Sequence, residues 1–354
     1  MTLVALIFGG RSPEHEVSIV SARNVNQQLK EAGYNVLPVG IDRQGRWHAG
    51  DDAFNTLCNE PTAQTATGMA QVLSRTDLDV VFPMVHGVTG EDGSIQGLCK
   101  LLGLPWVGGD ALNQSLCWDK LATRTLLHHN RLPQPAFLGF FRNRYDEDNA
   151  IRKIESKLHY PVFVKPSRTG SSIGVSKASG RSQLRDAINL AFEYDYRIIV
   201  EQGLDGQEIE IAGLGALEPE LSIPAEIIPG GEFYDFKEKY LDSGTRFVIP
   251  AEMKPAQLEE MKGIAQQAWS ILNCYGLSRI DFMVTRDGVY LNEVNTIPGF
   301  TSISMYPSLM NKSGVSSTQL MKRLIDLALQ RDQLLGVKDH FETQDDWYKG
   351  KKDD

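Results

Sequence analysis

No apolar run in this 354-residue chain approaches the roughly 20 residues that a membrane helix needs. Its opening, MTLVALIFGG, has neither the basic start nor the long apolar region of a secretory leader, and its apolar residues read as a buried first strand. Cysteine is scarce: Cys58, Cys99, Cys117 and Cys274, none spaced as CxxC, give no zinc pattern and read as free thiols in a reducing cytoplasm. Positive charge is in deficit, with 36 Lys and Arg against 45 Asp and Glu, a net charge of −9. Sequence-independent nucleic-acid binding therefore lacks its electrostatic source, and any phosphate must be met by a local basic cluster. GxxxxGK[ST] is absent, which excludes a P-loop enzyme, and no GxGxxG follows a strand, so Gly9-Gly10 is a poor dinucleotide signal.

What remains is a globular composition, 42% hydrophobic and 23% charged, at a length that suggests two or three domains. Apolar runs at 3–8, 35–41 and 79–85, with a helical pattern through Leu29, predict a parallel α/β unit. Residues 42–78 read as a surface excursion from it. Helices are predicted at 93–103, 119–130, 146–158, 182–194, 255–272 and 315–331, with a short strand and turn at 104–110. YPVFVKPSRTGSSIGVSKAS, RIIVEQGL and residues 208–228 read as strands. Boundaries near 110 and 200 divide the chain into 1–110, 111–200 and 201–340, followed by a charged tail, 341–354. Residues 229–250 form a polar and aromatic connection too long to be an ordinary turn.

Gly170-Ser171-Ser172-Ile173-Gly174 matches GxSxG, the serine-hydrolase elbow. That elbow needs a helix after the serine and a later histidine. Here turn-like VSKASG follows, and the only later histidine is His340 in the tail.

SRIDFMVTRDGVYLNEVN carries the strongest local signal. Alternation puts Arg279 and Asp281 on one strand face, and Glu293 and Asn295 on one face of the next. A three-residue turn, Arg286-Asp287-Gly288, with Gly288 left-handed, places Asp281 opposite Glu293 and Arg279 opposite Asn295. Two carboxylates and an amide oxygen then converge, a hard donor set that suits Mg²⁺ shared with substrate phosphates. A two-residue turn separates them, and a solvated hairpin with ordinary charges uses the same residues. The following TIPGFTSISM is poor core material and good substrate-loop material. Lys165 ends an apolar strand beside a Ser/Gly-rich loop, where a lysine and backbone N–H groups can meet a phosphate. Lys120, near the start of a helix, is a weaker phosphate candidate.

FGGRSPEHEVS, VHGVTGEDGSIQG, WDK, VKPSRTGSSIGVS, VEQGLDGQEIE, FYDFKEKY, RIDF and NEVNTIPGFTSISMYP together run through nearly the whole chain. In these segments the sequence resembles the D-alanine:D-alanine ligases of the ATP-grasp superfamily, and EQG and SISMYP resemble their longer, A-type branch. The resemblance implies an α/β (α+β) ATP-grasp fold, with a Rossmann-like parallel-sheet domain holding the first D-alanine and two α+β domains clamping ATP. It implies ATP-dependent joining of two D-alanines through a D-alanyl phosphate, for peptidoglycan precursors in a bacterial cytoplasm. D-alanine:D-lactate or D-alanine:D-serine ligation is the alternative within the family. A homodimer is implied, with no nucleic-acid or membrane partner.

By the same resemblance, Lys120 and Lys165 lie on the ATP phosphates, and Ser172 binds ATP. Glu201, Gln202 and Leu204 lie beside adenine, and Glu208 on the ribose. Asp281, Glu293 and Asn295 hold two Mg²⁺ (or Mn²⁺). Glu16 holds the first ammonium, with His86 nearby. Arg279 and the Gly299 N–H form an oxyanion hole, and Ser304 and Met305 bind the second carboxylate. Residues 229–250 become an omega loop whose Lys239 reaches the γ-phosphate and whose Tyr240 joins Glu16 and Ser171 over the closed site.

Overall fold

The structure is a computed structural model that describes residues 1–59, 66–230 and 244–336. Three sheets organise it. The first is built from β1 (Leu3–Gly9), β2 (Asn35–Ile41), β3 (Trp47–Ala49) and β4 (Val80–Met84), in the order β3-β2-β1-β4. β1 is parallel to both β2 and β4. VALIF of β1 is buried on both faces, as a central parallel strand covered by helices requires. The helix His15–Glu31 is the crossover from β1 to β2.

The second sheet joins β5 (Phe137–Phe141), β6 (Val162–Pro166), β7 (Ser176–Ala178) and β8 (Arg197–Gln202), in the order β5-β8-β6-β7. Its apolar face packs on the helices Glu147–Lys157 and Arg181–Tyr194 through Ile151, Ile154, Leu184 and Ile188. The third contains β9 (Gln207–Gly215), β10 (Pro219–Leu221), β11 (Ala225–Ile228), β12 (Arg246–Val248), β13 (Gly276–Val284) and β14 (Val289–Asn295). Its path is β12-β11-β9-β13-β14, with β10 on β9.

The second sheet has its own core, whereas the first and third share one. Phe8 and Phe82 from the first sheet join Leu214 and Leu277 from the third, with Phe300, Tyr306 and Leu324 between them. Phe82 and Phe300 meet edge to face at 6.4 Å. The other face of the third sheet packs on the helix Pro255–Ile271.

The predicted helices and strands recur within a few residues, and the exceptions have local causes. Residues 246–248, read as part of the long connection, pair with β11. Residues 104–110 make a single bridge, Val81 to Trp106, rather than a strand. Residues 42–78 contain β3 and the short helices Ala53–Cys58 and Met69–Leu73. Among the described residues outside 42–78, three further helices are not marked by the sequence pattern: Ala111–Trp118, Arg331–Leu335, and Met305–Lys312, whose Pro307 falls in the first turn, where proline is tolerated.

Trp269 is 1% exposed and packs on Gly213, where a Cβ would come within 2.7 Å of the ring. Its indole N–H donates to Ala216 O at 2.7 Å. We predict that Trp269→Ala destabilises the chain by about 3–5 kcal/mol. Gly213→Ala, by overpacking the same contact, costs about 1–3 kcal/mol. Urea unfolding midpoints check both.

Candidate active site

The three sheets meet around a cavity of about 820 Å³. β13 and β14 supply its oxygen-rich wall. Arg279 stands opposite Asn295 and Asp281 opposite Glu293, the register expected from the sequence, but the path to it differs. Val284 pairs with Val289, which leaves a four-residue loop, and Thr285 N donates to Gly288 O at 2.9 Å. Gly288 has φ 159°, outside the left-handed helical well. A bulge then places Asn292 outside the pairing and restores the face of Glu293. Arg279 binds Asp281 through both guanidinium branches, at 2.8 and 2.7 Å, and lies 3.3 Å from Glu210. Burial pushes its pKa down, but Asp281 and Glu210 outweigh this and hold it well above the ordinary arginine value.

Among the described residues no three His, Cys, Asp or Glu side chains form a metal cluster. Asp281, Glu293 and the Asn295 amide are nonetheless hard oxygen donors on one wall of the cavity, with directly opposed carboxylates that a cation would relieve. They fit a Mg²⁺ that takes its remaining ligands from phosphate and water.

Lys165 approaches from β6 of the second sheet, and Lys120 from a helix beside it. Lys120 opens the helix Lys120–His129, which Asp119 caps by accepting from Ala122 N at 3.0 Å. Its backbone N–H donates to Ser167 O, and its ammonium donates to Thr169 O. Burial lowers its pKa, against support from Glu293. Lys165 lies 2.6 Å from Glu201, whose other oxygen takes Arg124 Nε at 2.5 Å. Burial alone would raise Glu201, but the two cations bring its pKa down to about 2. Arg124 also donates to Leu291 O at 2.7 Å and thereby ties β8 to β14. Gln202, Leu204, Glu208 and Ser172 line the same cavity, although the Gln202 amide is engaged by His159 and Gly203.

The third wall corrects one sequence expectation. Glu16 does not line the cavity: its side chain is 66% exposed and pairs with Arg43. Glu14, the N-cap residue of the helix His15–Glu31, is buried at 8% and lines it. Glu14 accepts a hydrogen bond from the Ser171 hydroxyl. It is seated between two glycines, since a Cβ on Gly170 or Gly87 would lie 2.7 or 3.1 Å from Glu14 Oε2. Ser171 and Ser172 take left-handed φ values of 50° and 59°. No helix follows them, so the serine-hydrolase elbow is absent.

His86 is buried in the same wall. Its Nδ1 donates to Ile297 O at 3.0 Å, and its Nε2 accepts from Ser21 at 3.2 Å. Burial lowers its pKa, so the ring is a neutral tie between the first sheet and the 296–300 segment. Ser304 holds the N-cap position of the helix Met305–Lys312 without a side-chain cap bond, and its hydroxyl instead accepts from Thr301 N at 2.9 Å. The free N–H groups at that helix start offer an anion site beside Gly299. Lys239 and Tyr240 lie outside the described residues.

Four participants were missed in the sequence: Glu14, Glu91, Arg124 and Glu210. Helical phase could have found Glu14. Glu16 shares the exposed face of its helix with Val20, Arg23 and Gln27, spacings of four, seven and eleven residues.

Two family models match the chain, one described as D-ala D-ala ligase N-terminus over residues 3–109 and one as D-ala D-ala ligase C-terminus over 126–326. A D-alanine–D-alanine ligase of Caldicellulosiruptor bescii is 43% identical over 348 residues, covering 93% of this chain and 96% of that protein. D-alanine–D-alanine ligase A of Escherichia coli K12 is 42% identical over 351 residues, with the same coverage. The solved D-alanine–D-alanine ligase of Coxiella burnetii superposes with a TM-score of 0.82 at 33% identity, over 95% of this chain and 96% of that one. The VanG D-Ala:D-Ser ligase of Enterococcus faecalis gives 0.82 at 36% identity, over 92% and 99%.

Glu91 also lines the cavity and accepts from Gly87 N at 2.9 Å. Burial, then the Glu14 charge, push its pKa from 4.5 to about 8. A raised acid contributes stability below its unfolded value and loses it as pH rises through the folded one. We predict that Glu91→Gln equals the wild type near pH 4.5 and is the more stable of the two above pH 8. Denaturation midpoints across that window check it.

Proposed function

The chain belongs to the D-alanine–D-alanine ligase family, and from that membership we propose that it joins two D-alanine molecules into D-alanyl-D-alanine while converting ATP to ADP and phosphate. Its fold is the α/β ATP-grasp fold of its structural neighbours. The observation that carries the reading is the convergence on one cavity of Asp281, Glu293 and Asn295 with Lys120 and Lys165, facing Glu14.

In this reading Lys120 and Lys165 meet the ATP phosphates, while Glu201, Gln202 and Leu204 border the adenine and Glu208 the ribose. Asp281, Glu293 and Asn295 would hold Mg²⁺ or Mn²⁺, which neutralises phosphate charge during phosphoryl transfer. A carboxylate oxygen of the first D-alanine attacks the γ-phosphorus as the bond to ADP breaks, and the amine of the second attacks the acyl carbonyl, loses a proton and expels phosphate. Glu14 takes the role first given to Glu16, holding the ammonium of the first D-alanine with Ser171 fixing the carboxylate. Arg279 and the Gly299 N–H face the oxygen that gains charge when the amine adds, where fixed donors have their largest effect. Ser304 and the N–H groups opening the helix Met305–Lys312 receive the second carboxylate. By the family resemblance, Lys239 would reach the γ-phosphate and Tyr240 would close over the site, both of them outside the described residues. The same reading assigns the product to peptidoglycan precursors in a bacterial cytoplasm, made by a homodimer. No described helix is long and apolar enough to cross a membrane.

D-alanine should stimulate ADP release from ATP and yield the dipeptide, and predominant ester or D-alanyl-D-serine when D-lactate or D-serine is added would redirect the assignment. Glu14→Gln, which removes a buried charge partner, should lower kcat/KM for D-alanine about 100-fold or more. Glu16→Gln, at an exposed ion pair, should stay within about twofold of wild type. Equal losses in the two variants would refute the placement of Glu14.

A further inference from the structure

The loop that follows β14 carries two groups of the proposed reaction, the Gly299 N–H and the Ser304 hydroxyl, but the first-sheet side of the molecule holds its backbone. Phe300 is fully buried between Phe82 and Tyr306. Its N–H donates to the Ser21 hydroxyl at 3.2 Å, and its carbonyl accepts from Asn24 Nδ2 at 2.6 Å. The Ser21 hydroxyl also donates to His86, whose other ring nitrogen holds Ile297 O. Ser21 and Asn24 are three residues apart on the helix His15–Glu31 and so share a face, while Val20 and Arg23 between them are exposed. Neither Ser21 nor Asn24 lines the cavity.

Asn24 reaches the site through a single peptide unit. A carbonyl oxygen only accepts, so the amide nitrogen of Asn24 is the donor to Phe300 O. The N–H of the same peptide, that of Thr301, points the other way and donates to Ser304 Oγ at 2.9 Å. The Thr301 hydroxyl lies 2.8 Å from the same oxygen. Hydrogen bonds in series polarise and strengthen one another. The peptide between Phe300 and Thr301 is therefore gripped on one edge by Asn24 and on the other by Ser304.

We propose that Asn24 is a positioning residue for the second amino acid: through this peptide it sets the Ser304 hydroxyl where the incoming carboxylate is received. The role presupposes ligation as proposed above. Glu14, assigned to the first ammonium, caps the helix that carries Asn24. One helix thus bears on both ends of the reacting pair, the first through Glu14 and the second through Asn24.

The test divides one acyl phosphate between two nucleophiles. Full-length protein is given Mg-ATP, D-alanine below saturation, and hydroxylamine, which is small and needs no carboxylate site. Hydroxylamine nitrogen attacks the acyl carbonyl, loses a proton and expels phosphate, giving D-alanyl hydroxamate beside the dipeptide. Unfolded molecules make neither product, so their ratio reads the folded enzyme alone. Asn24→Ala should lower the ratio of dipeptide to hydroxamate roughly three- to tenfold, the weight of one neutral hydrogen bond. A second readout needs no trap: the D-alanine concentration for half-maximal dipeptide synthesis should rise by a similar factor, with kcat within about twofold of wild type. Asn24→Asp, which fills the same space but offers the carbonyl only acceptors, should be at least as impaired as Asn24→Ala. Less than a threefold change in both readouts, equal losses of dipeptide and hydroxamate, or a wild-type ratio in Asn24→Asp would overturn the role of Asn24 and leave the ligase reading standing. Wild-type protein that makes neither product would strike the ligase reading and this role with it.

Discussion

Arg124 holds together two of the three sheets that meet around the cavity. Its guanidinium binds Glu201 on β8 and the carbonyl of Leu291 on β14, and it is 3% exposed. A buried carboxylate such as Glu201 is tolerated only when its charge is matched, and losing one partner of a buried pair typically costs about 3–5 kcal/mol. With Arg124 on one oxygen and Lys165 on the other, Glu201 stays ionised and Lys165 is pinned at the cavity wall. Arg124 also reaches Asn292, the bulged residue, at 3.4 Å. One cation therefore steadies a candidate phosphate lysine and the irregularity that aims Glu293.

That irregularity shows what alternation can and cannot reveal. The pairing of Asp281 with Glu293 was legible because a strand has a period of two, so only the parity of loop plus bulge mattered. A three-residue turn without a bulge and a four-residue loop with one put the same side chains together. The loop itself was not legible, because a bulge is fixed by contacts such as those of Arg124, from a helix far away in sequence. The shared core of the first and third sheets was equally hidden: periodicity marks Phe8, Phe82 and Phe300 as apolar but does not say that they meet.

The exchange of Glu16 for Glu14 has a different origin. The two carboxylates flank His15, and two residues of helix turn a side chain by about 200°, so both cannot face one cavity. The resemblance supplied a motif with two acids and left the choice open to a one-register error. The structure puts Glu14 at the cavity: the glycines at 87 and 170 leave room for its carboxylate, and the Ser171 hydroxyl donates to it. Glu16 lies on the solvent stripe with Arg43 as its partner.

The net charge of −9 then acquires a local meaning. Glu14, Glu91, Glu201, Glu208, Asp281 and Glu293 all line one cavity, which no field of the whole protein would fill with phosphate. The conflict is resolved group by group. Glu201 is neutralised by two cations, Asp281 by Arg279, and Glu91 by keeping its proton as its pKa rises to about 8. On the proposed reading, a divalent cation held by Asp281, Glu293 and Asn295 would accompany the nucleotide and add to the charge balance that Arg279 begins at Asp281. Nucleotide and metal should therefore bind with mutual reinforcement, and by thermodynamic reciprocity each strengthens the other by the same factor.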